Sequence, residues 1–362
     1  MKRRLMSFLI AIMMLLGVPS CADAPSAIPL TLKSFIETLN SQKDEWQGGA
    51  IAILYKGHVV YKTTFGNQKG NTGPITSSTL FPLASVSKPV SAMAIALLLD
   101  QEKLDLDETF KLSYLKQPVN LKNILSHTTG YQFSGNSLIE KGIDRRKLLE
   151  TLNRQKPRCN PGKCYTYSNL IFGLVEEALN TKRLSLSSAI QNLRTALQTE
   201  GIQIISIDSK MDIAYPHSND KPLPFPPYYP KAAPAAAGIF ASIDGMIEVF
   251  KLSFGYRPDL IAQKTLDSLY TPLISNHDID KWQIGWQCDR DKIDSYYGLG
   301  WRILKPADYP GKDLIFHSGY ILGINTFIGF IPSEEIGIII LINQRPSGAL
   351  KKCLDFWGEF LK

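Results

Sequence analysis

No stretch of this sequence carries a block of one charge, no segment repeats, and cysteine and histidine are scarce, at five each in 362 residues. The missing charge block removes the usual mark of a nucleic-acid-binding surface. Without a repeat, solenoids and propellers are excluded. Cys159 and Cys164 have no accompanying Cys or His pair at ligand spacing, which argues against a zinc site. The apolar run from Leu5 to Val18 is too short to cross a bilayer comfortably. What remains is 44% hydrophobic and 20% charged, the balance of a chain that folds into a core. At this length one large two-lobed domain, or two domains sharing a cleft, is expected.

The N-terminus reads as an address. Lys2, Arg3 and Arg4 precede the apolar run, and the small residues Ser20 to Ala24 follow it, the order of a secretory signal peptide. Cleavage after Ala24 is the favoured reading. Val18-Pro19-Ser20-Cys21 also resembles a lipoprotein box, in which Cys21 would carry a lipid tether, and a retained anchor is the third option. Losing Lys2, Arg3, Arg4 and Asp23 lowers the formal charge from +7 to about +5, too mild to demand an anionic partner. The chain is therefore expected in the periplasm, as a monomer. Four cysteines remain, an even number that permits disulfides there. Cys159 and Cys164 bracket the turn Asn160-Pro161-Gly162-Lys163 and form one candidate pair; Cys288 and Cys353 form a weaker one.

Local patterns give an α+β order. Leu32, Phe35, Ile36 and Leu39 predict a first helix, and Gly49–Tyr55 with His58–Phe65 predicts a hairpin through Lys56-Gly57. Helical patterns dominate from Ser85 to about Leu197, including Val90–Leu99, Leu121–Leu125, Arg146–Leu152 and Leu170–Leu179. The proline-rich stretch from Tyr215 to Pro234 is expected as a surface loop packed on its own aromatics, with Tyr228 and Tyr229 as secondary contact candidates. Leu314–Phe316, Ile324–Ile331 and Ile336–Ile342 predict antiparallel strands, and Ala349–Leu361 a closing helix. Strands at both ends with helices between suit a sheet completed by the two ends meeting. The sheet lobe is placed at about residues 30–82 and 290–362, the mainly helical lobe at about 83–289, together one domain over 25–362.

Three motifs carry chemistry. Ser85-Val86-Ser87-Lys88 opens a helical run, so the serine and lysine three positions apart share a face. A serine hydroxyl needs a base to become a nucleophile, and a lysine whose pKa is lowered by burial can be that base. Alone the tetrapeptide is weak, because Ser113-Tyr114-Leu115-Lys116 matches it equally. Tyr167-Ser168-Asn169 supplies a hydroxyl able to shuttle a proton and an amide able to hold a carbonyl. His317-Ser318-Gly319 follows a strand, where the glycine would let a substrate backbone lie along the edge. Glu176 and Glu177 are read as the polar face of a helix, and His127 as structural.

Ser-x-x-Lys, Tyr-x-Asn and His-x-Gly in this order resemble the class C β-lactamase and D-alanyl-D-alanine carboxypeptidase family. Leu125–Gly130, Pro161-Gly162, Tyr297–Trp301 and Gly323–Asn343 support the likeness, which runs from about residue 30 to the end. The resemblance implies a β-lactamase/transpeptidase-like fold and an acyl-enzyme on Ser85, with Lys88 as basic partner and Tyr167 as acid or base. It implies that Asn169, His317, Ser318 and Gly319 bind substrate, and that backbone N–H groups of Ser85 and Tyr320 form the oxyanion hole. The implied substrate is a small molecule, a β-lactam or a D-amino-acid peptide or ester, with no cofactor or metal required. The departure is His317, where class C β-lactamases carry lysine: a mostly neutral imidazole should grip a substrate carboxylate more weakly. A class C β-lactamase is the first reading; a peptidase of carboxypeptidase type, a small-acyl esterase, and a non-catalytic cell-wall peptide or β-lactam binder stay open.

Overall fold

A computed structural model describes residues 27–205, 211–225, 227–276, 292–345 and 348–362. The leader, Cys21 and Cys288 lie outside the described residues.

The two chain ends do meet. Gly48–Tyr55 pairs antiparallel with Ile336–Ile342 on one side and with His58–Lys69 on the other. They are the sixth to eighth strands of a sheet that has nine among the described residues. Its order runs Ile274–Ser275, Ile293–Tyr297, Arg302–Pro306, Leu314–Ile321, Ile324–Ile331, Ile336–Ile342, Gly48–Tyr55, His58–Lys69 and Thr72–Pro74. Ile274–Ser275, within the stretch assigned from sequence to the helical lobe, is the outermost strand. The central strands read as unbroken apolar runs because both faces are covered. Ile51 and Ile53, with Ile336, Ile338, Ile340 and Ile342, face the terminal helices Leu30–Gln42 and Ala349–Phe360, where Phe35 stacks on Phe356 at 4.2 Å. Ala50, Ala52, Leu54, Ile339 and Leu341 face the helical lobe.

At the centre of that lobe is the helix Ser87–Asp100, buried along its length from Ser87 to Leu98. A helix apolar on every side belongs in a core, and Pro89 is tolerated because it sits in the first turn. Two expectations need correction. Leu170–Leu179 is not one helix but two, Asn169–Phe172 and Val175–Thr181, and Gly173 lies between them. The Gly173 carbonyl, at the junction of the two, accepts a hydrogen bond from Arg145 Nη2 at 3.0 Å, a partner outside either helix. The proline-rich stretch also holds regular pieces: a short hairpin, His217–Ser218 with Lys221–Pro222, and the helices Tyr228–Ala232 and Pro234–Ala237. Pro234 opens the second of these at a position where no N–H is needed.

The Cys159–Cys164 disulfide is formed, closing the loop that leads to Tyr167. Cys353 is a free thiol buried on the last helix, and Cys288, its expected partner, lies outside the described residues. Among the described residues no helix is long and apolar enough to cross a membrane.

Candidate active site

Ser85 sits in a single 3-10 turn, Ala84–Val86, that runs directly into the central helix. Ala84 holds a left-handed φ of +47°, uncommon for a residue with a side chain and a sign that neighbours force this turn. Two of those neighbours are identifiable. Thr326 Oγ1 donates to Leu83 O at 2.7 Å, tying the turn to the strand Ile324–Ile331. On the adjoining strand, a Cβ at Gly319 would lie 2.5 Å from Leu83 O and 2.2 Å from Thr326 Oγ1. The glycine of the third motif therefore makes room for the turn that carries Ser85. Gly319→Ala is expected to cost about 1–3 kcal/mol of stability through this overlap and to lower turnover by displacing Ser85. Thermal melting and steady-state rates check it, and an Ala variant equal to the native protein in both would contradict the packing argument.

Lys88 is completely buried, with its Nζ 3.2 Å from Ser85 Oγ, 2.6 Å from Asn169 Oδ1 and 2.9 Å from Ala236 O. Burial, with the nearby charge of Arg302 second, holds its pKa well below the usual lysine value. The Tyr167 hydroxyl donates to Ser85 Oγ at 2.9 Å. Ser85 thus has a depressed-pKa amine and a phenol within hydrogen-bonding distance of one oxygen. The rival tetrapeptide is absent from any such setting: Ser113 and Lys116 are exposed and outside helices.

The stretches around Tyr167 converge on it. Ser168 caps the helix Asn169–Phe172 by accepting from Ile171 N at 3.1 Å, which fixes where Tyr167 enters. Beneath it, His127 stacks on the Tyr167 ring at 4.4 Å, and its Nδ1 accepts from Ser168 N at 3.3 Å. Burial first, then the charges of Lys88 and Arg302, keeps His127 well below its ordinary pKa and hence neutral. The disulfide loop braces the same turn, as Gly162 N donates to Thr128 O and Arg158 N to Gly130 O, each at 2.7 Å. Glu176 and Glu177 are structural, though in the first turn of their helix: Glu177 pairs with Arg145 and Glu176 accepts from Leu186 N.

A cavity of about 440 Å³ opens over Ser85. Tyr167, Asn169, Ser318, Gly319 and Tyr320 line it, so seven of the eight expected site residues converge here once the adjoining Lys88 is counted. His317 does not line it. Its ring is 1% exposed, Nε2 faces Tyr297 Oη at 3.0 Å, and Nδ1 faces Ser318 O at 2.8 Å. Burial and the charge of Arg302 push His317 well below its usual pKa, so it is a neutral brace buried between Tyr297 and Tyr167. The fixed cation in the cavity wall is Arg302, whose guanidinium lies 5.2 Å over the Tyr167 ring and 5.6 Å over Tyr297. Pairing of its strand with Leu314–Ile321 stops at Phe316, so among the described residues Ser318, Gly319 and Tyr320 pair only with Ile324–Ile331 and leave their other side open. Asn136, Glu140 and Tyr229 line the cavity from the helical lobe. Of Arg302, Asn136, Glu140 and Tyr229, sequence reasoning named Tyr229 as a secondary contact candidate and missed the other three. Only the i, i+4 spacing of Asn136 and Glu140 hinted at a shared face, and Tyr229 lines the cavity rather than packing in an isolated loop.

The β-lactamase family profile matches residues 36–357. The chain belongs to the β-lactamase family. A β-lactamase of Pseudomonas fluorescens is 24% identical over 342 residues, covering 86% of this chain and 92% of its own. Among solved structures, a β-lactamase/D-alanine carboxypeptidase from Pseudomonas syringae superposes with a TM-score of 0.70 at 19% identity, covering 91% of this chain and 98% of its own. An octameric penicillin-binding protein homologue from Pyrococcus abyssi gives 0.72 at 20% identity, over 91% and 76%. This β-lactamase-family member is a serine hydrolase with the β-lactamase/transpeptidase-like α+β fold. The expectation of a monomer gains nothing from relatives that include an octamer.

Proposed function

We propose that this protein is an exported β-lactamase of class C type that opens the β-lactam amide through an acyl-enzyme on Ser85. The observation that carries this reading is the placement of Ser85 Oγ within hydrogen-bonding distance of both Lys88 Nζ and Tyr167 Oη, at the floor of a cavity walled by a free strand edge. As Oγ bonds to the carbonyl carbon, its proton passes to Lys88. The C–N bond then breaks, and the nitrogen leaves with a proton delivered through Tyr167. Water, deprotonated at the same pair, releases the acyl group and restores Ser85. Backbone N–H groups of Ser85 and Tyr320 are the expected oxyanion donors, one such donor typically contributing roughly 3–4 kcal/mol. Arg302, not His317, takes the substrate carboxylate; a guanidinium binds carboxylates in a planar fork and stays charged at every relevant pH.

Export rests on Lys2–Arg4 and the apolar run after them, and the Cys159–Cys164 disulfide supports an oxidising compartment such as the periplasm. Incubation of the purified protein with a chromogenic cephalosporin and a labelled penicillin tests the activity, and rapid turnover of both is expected. A persistent adduct without turnover would mean a carboxypeptidase-type enzyme or a penicillin-capturing protein. Hydrolysis of short-chain esters with no adduct would mean an esterase.

A further inference from the structure

Arg302 lies on the sheet side of the cavity, whereas the helical side carries a carboxylate of the opposite sign. Glu140 and Asn136 occupy one face of the short helix Asn136–Glu140, and both line the cavity. Asn136 Oδ1 accepts from Asn169 Nδ2 at 3.0 Å, so this helix adjoins the amide expected to hold the substrate's acyl group. Glu140 Oε1 accepts a hydrogen bond from Tyr229 Oη at 3.1 Å, and burial together with the Glu140 charge raises the Tyr229 pKa, keeping the phenol a donor. The other oxygen, Oε2, has no hydrogen-bond or ion-pair partner among the described residues. The carboxylate is thus oriented by a buried tyrosine, lines the cavity, and belongs to the helix whose Asn136 bonds Asn169.

We propose that Glu140, oriented by Tyr229, is an ammonium subsite that makes the enzyme prefer substrates carrying a free amine on the acyl side. This rests on the acyl-enzyme reading above. With Arg302 in the sheet-side wall, the cavity then presents charges of both signs. A pair of opposite charges held at a partly exposed site gives modest selectivity, since solvent screens it.

Two matched pairs test the subsite. Ampicillin and benzylpenicillin differ by one α-ammonium, and a D-alanyl thioester differs from its N-acetyl derivative in the same way. The native protein should favour the amine of each pair by roughly five- to tenfold in kcat/KM. Glu140→Gln, which still accepts from Tyr229, should bring that ratio close to one, while Tyr229→Phe keeps the charge and should retain most of the preference. Because the ratio is taken within each protein, a general change of turnover cancels. The preference should also fade as pH rises through about 8, where an α-amine loses its proton, which a purely structural Glu140 would not produce. Where a compound acylates without turnover, the acylation rate read as mass increase gives the same ratio. A preference confined to the thioester pair sustains the subsite while overturning the β-lactamase reading. Turnover of both penicillins at equal rates, unchanged in Glu140→Gln, overturns the subsite and leaves that reading intact. Failure of all four compounds to acylate Ser85 overturns both.

Discussion

Ser85→Ala should abolish covalent labelling by penicillin and lower the turnover of any substrate by on the order of 10⁵–10⁶, the scale seen when a serine nucleophile is removed from a working triad. The substitution deletes one oxygen that touches Lys88 Nζ and Tyr167 Oη. It leaves the other two contacts of Lys88, to Asn169 Oδ1 and Ala236 O, in place. No cavity opens in the core, because Ser85 lies at the floor of an existing one. Melting should therefore move by less than about 1 kcal/mol equivalent, so that lost activity cannot be put down to unfolding. The readouts are intact mass after penicillin treatment and initial rates with a chromogenic cephalosporin. A retained adduct would place the nucleophile elsewhere. Ser113 is a poor substitute, exposed in a turn with no buried amine beside it.

The sequence was most informative where chemistry or periodicity is local. The paired strands at the two chain ends, the central helix and the spacing of Ser85 and Lys88 each follow from neighbours within a few positions. The nucleophile's surroundings were legible as motifs, yet their reasons were not. Gly319 looks from sequence like an opening for substrate, and only the fold shows Leu83 O and Thr326 in the space its Cβ would fill. His317 looks like a cavity residue because strand motifs name positions, not the side to which each side chain turns. It shares a strand face with Gly319, yet its ring is buried against Tyr297 and beside Tyr167 instead of opening to the cavity. Arg302 was hidden for the complementary reason. It sits in an apolar strand with no motif of its own, and it matters only because the sheet brings that strand beside Tyr167. The carbonyl at Gly173, between two short helices, likewise finds its partner in Arg145, distant in sequence and adjacent in space.

Lys88 is where the geometry makes its most specific demand. Asn169 Oδ1 and Ala236 O are both acceptors, so each takes one N–H of Lys88. In the neutral amine that uses both hydrogens and leaves the lone pair for the third direction, toward Ser85 Oγ at 3.2 Å. The same three contacts would suit an ammonium, but burial and the charge of Arg302 both favour the neutral form. Lys88→Met removes the base and should lower kcat/KM by about 10²–10⁴. It also strands two buried carbonyl oxygens at a cost of roughly 1–3 kcal/mol each at most, which melting curves measure separately. Lys88→Arg is the sharper variant. It retains a cation near Ser85 but cannot lose its proton, so it should be as inactive as the methionine variant if Lys88 works as a base. In the native protein, activity should rise with pH as Lys88 deprotonates, at a midpoint well below 10.5. Stability carries the same sign. The folded pKa is depressed, so this contribution is complete above 10.5 and is lost as pH falls through the folded value. Lys88→Met should flatten that part of the stability profile while abolishing the acidic limb of the rate profile. An arginine variant with near-native rates would refute the general-base role and leave Lys88 as an electrostatic partner alone.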